Sequence, residues 1–79
     1  MKHKQYIHLQ KMIDMGEEIN FKYKTDEYWI SRTPDKKYHL TRVRDANTQS
    51  FDHSQTLFEK ARIDGKSFDE IYPDIPWVD

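Results

Sequence analysis

The side chains of this sequence that could do chemistry are its histidines, serines and carboxylates. His39 can be drawn as a base oriented by Asp35 or Glu27, but these residue types are abundant here and the grouping has little specificity. The serines lack the strained Gly-x-Ser-x-Gly setting of a nucleophile. With no cysteine and only two glycines, the chain offers neither a thiolate nucleophile nor a glycine-rich phosphate loop. We therefore predict that the protein is not an enzyme.

The histidines also lack a metal-binding pattern. His3 and His8 are five residues apart on a predicted helix, whereas two imidazoles reach one metal ion at a spacing of four. A chain of 79 residues leaves little room for a pocket that buries a ligand. We therefore expect neither a metal nor an organic cofactor.

The composition indicates one small domain over residues 1–79. Hydrophobic residues make up 35% and charged residues 34%, a balance that approaches disorder, but the 14% of aromatic residues supports a packed core. No apolar run is long enough for a transmembrane span or a signal-peptide core, so we expect no membrane contact and no export. The absence of cysteine fits a reducing compartment, and we expect a cytoplasmic protein.

The stretch Glu18 to Arg44 predicts three antiparallel strands, because apolar and polar residues alternate along it. Thr25 to Glu27 is the first predicted turn and Thr33 to Lys36 the second, where Pro34 presets its φ angle. Residues 45–48 are a predicted loop, and residues 49–51 a short fourth strand. Helices are expected to cover the apolar face, which consists of Ile19, Phe21, Tyr23, Tyr28, Ile30, Tyr38, Leu40 and Phe51.

Helices are predicted before and after this sheet along the chain. Lys2 to Met15 has apolar residues at helical spacing, and Gly16 is placed to end the helix in a left-handed conformation. Asp52 is a plausible N-cap for a second helix, which Gly65 would close.

A second capping box, formed by Ser67 and Glu70, predicts a short helical turn that Pro73 stops. Residues 73–79 are then an extended tail, in which Ile75, Trp77 and Val78 are apolar enough to fold back onto the body. The predicted fold class is α+β: an N-terminal helix, a three- to four-stranded antiparallel sheet, a C-terminal helix and a short helical turn.

The predicted outer face of the sheet carries one large aromatic residue, Trp29. We leave two alternatives open, that the tail covers Trp29 or that Trp29 anchors a protein partner with Arg32 and Arg42 beside it. Trp, Tyr and Arg are the usual anchors of protein interfaces. The other residues assigned to this face are Lys22, Lys24, Ser31, His39, Thr41 and Val43.

Charge is unevenly distributed along the chain. Residues 1–50 carry ten Lys/Arg against seven Asp/Glu, whereas residues 51–79 carry three against seven. One interpretation is that these are ordinary solvated faces that attract each other across the fold. The other is that clustered carboxylates occupy a basic groove that normally holds nucleic acid, which would block a nuclease. The acidic candidates are Asp64, Asp69, Glu70, Asp74 and Asp79.

Nucleic-acid binding is the alternative function. The order helix, three strands, helix is that of the double-stranded-RNA-binding domain, but the basic cluster at the start of its last helix is absent from residues 52–56. A basic sheet surface could still bind phosphates, with Trp29 and His39 stacking on bases. Its residues would be Lys22, Lys24, Arg32, Lys36, Lys37, Arg42 and Arg44. The net charge of −1 argues against this alternative.

The segment Ile63-Asp64-Gly65-Lys66-Ser67, with the strand pattern before it, resembles short uncharacterised proteins of low-GC Gram-positive bacteria and of their phages and prophages. Its motifs are caps, turns and core positions, and one departure is Lys36, where a glycine is expected after Pro-Asp. The resemblance implies no activity, but it implies a mobile-element setting inside a bacterial host. We therefore predict a small non-enzymatic protein that binds a host or defence-system protein, as an inhibitor of a nucleic-acid-handling machine.

Overall fold

The computed structural model describes residues 1–76. One helix precedes a four-stranded antiparallel sheet, and two short helices and a 3₁₀ turn follow it, which confirms the predicted α+β class. The helices are α1 (His3–Asp14), α2 (Ser54–Lys60) and α3 (Phe68–Ile71), and the 3₁₀ turn is Tyr72–Asp74. The strands are β1 (Ile19–Tyr23), β2 (Asp26–Arg32), β3 (Tyr38–Arg42) and β4 (Asn47–Phe51). They lie side by side in the order β1-β2-β3-β4.

The core lies between one face of the sheet and the helices. Ile30 is fully buried, opposite Ile19 on β1 and Leu40 on β3. The predicted apolar face is confirmed, with Ile19 and Phe51 at its partly buried margins. The helices and the C-terminal segment add Tyr6, Leu9, Ile13, Leu57, Phe58, Ala61, Ile63, Phe68, Ile71 and Ile75. We call this covered side of the sheet the inner face.

Gly16 ends α1 as predicted, with a φ angle of 93°. Its N–H donates to the carbonyl of Ile13 and the N–H of Glu17 donates to that of Met12. These two bonds form a Schellman motif, which uses two carbonyls that the end of the helix leaves free. A Cβ at this position would meet Nη1 of Arg32 at 2.7 Å, so the chain also passes close to β2 here.

The turns of the sheet differ in detail from the prediction. The first is a two-residue connection, Lys24-Thr25, because Asp26 already pairs with Tyr23. The second is a β-turn in which the N–H of Lys36 donates to Thr33 O at 2.9 Å, and Lys36 has a φ angle of 66°. The left-handed position is therefore Lys36, where a glycine was expected. The predicted loop at residues 45–48 is wrong at its end, since β4 begins at Asn47.

The connection after α2 is the largest correction to the predicted elements. The helix ends at Lys60, and Gly65 is not its cap. Ile63 and Lys66 instead exchange two backbone hydrogen bonds of 2.8 and 3.0 Å around Asp64 and Gly65. Their φ angles of 56° and 77° are those of a type I′ turn, for which Asp-Gly is a preferred pair. Asp52 does not cap α2 either; the N-cap is His53.

The C-terminal segment begins to extend later than predicted. The capping box of Ser67 and Glu70 is present, but the chain continues through Pro73 in the 3₁₀ turn and becomes extended at Ile75. Ile75 is 1% exposed, which confirms that this part of the tail folds onto the body. The predictions for Trp77 and Val78 lie outside the described residues. Within residues 1–76, no helix is long and apolar enough to cross a membrane.

Candidate binding surface on the outer face of the sheet

The side of the sheet opposite the core is not covered by any helix of residues 1–76. Alternation and register place ten side chains there, and we call this surface the outer face. Trp29 lies at its centre, opposite Asn20 on β1 and Thr41 on β3, and is 39% exposed. The members of the outer face are Asn20, Lys22, Glu27, Trp29, Ser31, His39, Thr41, Val43, Thr48 and Ser50.

Val43 extends the apolar part of this surface. Its N–H donates to the carbonyl of Glu27 at 2.9 Å, which continues the β2–β3 ladder by one pair beyond the strand ends. This pairing places the Val43 side chain on the outer face, where it is 49% exposed. Trp29 opposes Thr41 and Glu27 opposes Val43 across β2 and β3, so Trp29 and Val43 are diagonal neighbours on the outer face.

The outer face is poor in charge. Only Lys22 and Glu27 among its members are charged, although charged residues make up 34% of the chain. Lys22 and Glu27 lie opposite each other on β1 and β2, so the positive charge of one offsets the negative charge of the other. Depletion of charge together with exposed aromatic and aliphatic side chains is typical of the centre of a protein interface.

A chain of hydrogen bonds fixes the β3–β4 side of the outer face. His39 lies between Ser50, 2.7 Å from its Nδ1, and Thr33, 3.1 Å from its Nε2. The Thr33 hydroxyl donates to Asp35 or to the carbonyl of Lys37, both of which only accept. Thr33 must therefore accept a hydrogen bond from His39 Nε2, and in that neutral tautomer Nδ1 accepts from the Ser50 hydroxyl. The Asp35 carboxylate is stabilised by its bond from Thr33, which lowers its pKa.

This arrangement partly matches a base and its orienter, but it lies on an open sheet surface. The predicted pairing of His39 with Asp35 is indirect: both side chains bond to the Thr33 hydroxyl. Glu27, the other predicted orienter, is not hydrogen-bonded to His39. Ser50 was not a predicted site residue, because the sequence interpretation placed β4 late and short. The hydroxyl-rich alternation of Thr48 and Ser50 was the signal for it.

Arg32 and Arg42 do not border Trp29, so the predicted cluster of three anchors is wrong. Both arginines alternate with outer-face residues and project from the other side of β2 and β3. Arg32 lies over the ring of Tyr38, 5.7 Å from its centroid. Arg42 forms a two-bond pair with Asp45 at 2.7 and 3.0 Å, and opposes Asn47 across the ladder.

The remaining basic candidates are also separated from one another. Lys24 lies in the first turn, not on the outer face, and pairs with Asp64 at 3.2 Å. Lys37 pairs with Asp52 and Arg44 with Asp26, each at 3.5 Å. These three cations and Arg42 are thus distributed along the sheet rim, and each has an acidic neighbour. Lys22 is the one predicted basic residue that the structure brings beside Trp29 on the outer face.

The acidic candidates have structural contacts. Glu70 accepts from the backbone and hydroxyl of Ser67 at 3.1 Å, and these bonds lower its pKa. Asp69 accepts from the Tyr6 hydroxyl at 3.3 Å, Asp64 belongs to the type I′ turn, and Asp74 to the 3₁₀ turn. Two ion pairs, Lys24–Asp64 and Lys37–Asp52, join the basic first part of the chain to the acidic second part.

Other pKa shifts lie away from the outer face. The hydrogen bonds from Arg42 lower the pKa of Asp45 to about 2, and the same pair raises the pKa of Arg42. Burial raises the pKa of Tyr6, whose ring stacks on Tyr72 at 4.2 Å between centroids. These shifts report structural contacts, because each group serves a cap, a turn or the core.

Hollows lie both between the helices and at the β1 margin of the sheet. A groove of about 540 Å³ runs between α1 and α2, where Ser54 donates to Asp14 at 2.7 Å and Ile7 is 38% exposed. A second hollow of about 370 Å³ lies at the β1 margin and is lined by Asn20, Phe21, Lys22, Glu27 and Pro76. The prediction that the tail, residues 73–79, covers Trp29 depends in part on Trp77 to Asp79, which lie outside the described residues. Within residues 1–76, no three His, Asp or Glu side chains converge as metal ligands.

Comparison with known proteins found no matching family model, no similar curated protein and no similar solved structure. The resemblance to phage and prophage proteins of Gram-positive bacteria therefore stays a prediction.

Proposed function

We propose that the protein is a small binding module that recognises a protein partner through the outer face of its sheet, with Trp29 as the anchor. The observation that carries the proposal is the exposure of Trp29 at the centre of a charge-poor sheet face. A buried Trp at an interface typically accounts for a large part of the binding free energy. The partner surface that fits is apolar at its centre, with neutral hydrogen-bonding groups that meet Thr41, Thr48 and Ser50.

The predicted resemblance to phage and prophage proteins would imply a mobile-element setting, and on that basis we propose a host or defence-system protein as the class of partner and inhibition as the effect. The positions of the basic side chains support a protein partner over nucleic acid. Nucleic-acid binding needs a continuous basic surface, whereas Lys24, Lys37, Arg42 and Arg44 are dispersed and each is paired with a carboxylate. The acidic residues are equally dispersed in caps and turns. We therefore propose the outer face, and not the acidic residues, as the surface that binds the partner.

The test compares two exposed apolar side chains of nearly equal exposure. Trp29 is 39% exposed on the outer face, and Ile7 is 38% exposed in the groove between the helices. Wild type, Trp29→Ala and Ile7→Ala are immobilised and used to capture proteins from lysate of a low-GC Gram-positive bacterium. A captured protein is then purified and its affinity for each variant is measured by calorimetry.

We expect Trp29→Ala to weaken binding of that protein at least about 30-fold, which corresponds to a hot-spot loss of about 2 kcal/mol. Ile7→Ala should bind as the wild type does. The proposal is contradicted if both substitutions weaken binding equally, or if neither substitution changes the binding of the captured protein. Salt-sensitive binding of oligonucleotides that Lys22→Glu removes would favour the nucleic-acid alternative instead.

A further inference from the structure

We propose that the free edge of β4 pairs with β4 of a second copy, which joins two sheets into one sheet of eight strands. The inference concerns the sheet edge and does not rest on the proposed function of the outer face. The first observation is the strand order: β4 is an edge strand, which pairs with β3 on one side and with no strand of residues 1–76 on the other.

The direction of the backbone groups of β4 follows from one hydrogen bond. The N–H of Val43 donates to Glu27 O, so Glu27 and Val43 are a hydrogen-bonded pair. Hydrogen-bonded and non-hydrogen-bonded pairs alternate in an antiparallel ladder, so Thr41 and His39 also bond toward β2. Arg42, Leu40 and Tyr38 then bond toward β4, where they meet Asn47, Gln49 and Phe51. The N–H and C=O groups of Thr48 and Ser50 therefore point away from the sheet.

Those four backbone groups form an open edge. Within residues 1–76, no backbone–backbone hydrogen bond connects β4 to anything except β3, and the bond from Asn47 N–H to the Asp45 carboxylate does not involve Thr48 or Ser50. Thr48 and Ser50 are both exposed. The sequence from Asn47 to Phe51 contains no charge and no proline, which are the usual devices that keep an edge strand from pairing.

The opposite edge of the sheet is better protected. By the same alternation, β1 directs the backbone groups of Asn20 and Lys22 outward. Lys22 is a charged edge residue, and Pro76 shares the hollow beside Asn20 and Lys22. Pairing of β4 with β1 of another copy would meet these two obstacles and would also leave open ends. The unprotected edge can instead pair with itself around a two-fold axis, which closes the assembly.

A two-fold axis through Gln49 satisfies every group on the edge. Thr48 then faces Ser50 of the second copy, and the two residues exchange both backbone hydrogen bonds; the symmetric pair adds two more. The two hydroxyl side chains of each pair lie on the outer face within reach of each other, a favourable cross-strand combination. Beyond the strand ends, Asp45 faces His53 of the second copy, so no like charges oppose each other.

The consequence is a doubled outer face. The two sheets continue one another, so both copies of Trp29 lie on the same side of the assembly. A partner with two equivalent surfaces could then be bound at two points, which increases avidity without any new contact.

The test measures mass against concentration for three proteins. Thr48→Lys adds a charge to the β4 edge, and Asn20→Lys adds the same charge at an outward position of the β1 edge. In sedimentation equilibrium, the wild-type mass should rise from 9.7 kDa toward twice that value with increasing concentration. Thr48→Lys should shift the midpoint of this rise at least about tenfold upward, and Asn20→Lys should leave it unchanged. A wild-type mass that stays at the monomer value up to about 1 mM, or equal effects of the two changes, would overturn the proposal.

A second measurement needs no variant and so does not depend on whether Thr48→Lys folds. Amide hydrogen exchange of Thr48 and Ser50 should be fast in dilute wild type and slow at high concentration, whereas Asn20 and Lys22 should exchange fast at both. Protection of Asn20 and Lys22 instead would place the contact on β1 and refute the inference. Failure of the proposed function is separable, because Trp29 lies on β2, away from the β4 edge, so Trp29→Ala should still dimerise even where it loses the partner.

Discussion

Ile30 and Trp29 are consecutive residues of β2, yet Ile30 is fully buried on the inner face and Trp29 is 39% exposed on the outer face. The inner face is fixed by apolar contacts with three helices and the C-terminal segment. The outer face is fixed by hydrogen bonds between side chains, such as Thr41 with Thr48 at 3.0 Å. From this comparison we expect that one face supplies most of the stability of this domain, while residues of the other can be changed at little cost to folding.

The largest expected effect tests that division directly. Ile30→Ala should lower the free energy of unfolding by about 2–5 kcal/mol, because it removes a fully buried side chain and leaves a cavity. Thr41→Ala, on the outer face of the adjacent strand, should lower it by less than about 1 kcal/mol, the value of one side-chain hydrogen bond. Urea unfolding followed by circular dichroism measures both. Comparable losses for the two variants would mean that the outer face also holds the fold together.

A smaller effect of opposite sign is expected at the turn between β2 and β3, which both faces share. Lys36 has a φ angle of 66°, a conformation that costs a non-glycine residue about 1–2 kcal/mol. Lys36→Gly should therefore stabilise the domain by about 0.5–1 kcal/mol after the entropy that glycine loses on folding is subtracted. Thermal unfolding should show a midpoint a few degrees higher, with unchanged affinity for any partner of the outer face. A lower midpoint would contradict the left-handed geometry at Lys36.

The smallest effect concerns the exposed ion pair of Arg42 and Asp45. The pKa of Asp45 is lowered to about 2 in the folded protein, below its ordinary value of 3.8, so the unfolded chain binds a proton first as pH falls. The stability that the Asp45 charge contributes is thus present above about pH 4 and is lost as pH falls through 2. Wild type should be slightly more stable than Asp45→Asn at pH 6, and the difference should close between pH 4 and pH 2. A difference that does not depend on pH would show that the charge is not its cause.

Much of the inner face could be predicted from the sequence, because strict alternation from Ile19 to Leu40 determines which side chains share a face. The same alternation correctly placed Trp29 and His39 on the other face. The alternation also places Arg42 on the same side of β3 as Leu40, so the prediction that Arg42 lies beside Trp29 was inconsistent with the pattern. Lys24 was misplaced for another reason: the first turn uses two residues without glycine, so it begins one residue earlier than predicted.

Other features required tertiary structure. The Asp64-Gly65 turn has a strong local signal, but the preceding helical spacing through Ala61 favoured a helix that Gly65 closes, and that prediction was wrong. No local pattern indicates that Lys24 meets Asp64, 40 residues away, or that Thr33 connects Asp35 to His39. These contacts depend on side-chain rotamers and on how the segment after α2 returns to the sheet.

The order of the strands has a consequence for how the domain acquires its structure. Every neighbouring pair in the sheet is also consecutive along the chain, so each strand pairs with the one synthesised just before it. Such local pairing keeps contact order low, and proteins of low contact order cross their folding barrier quickly. During translation the ladder can grow one strand at a time, whereas the packing of α1 and of the inner face against the segments after β4 must wait until those segments are synthesised.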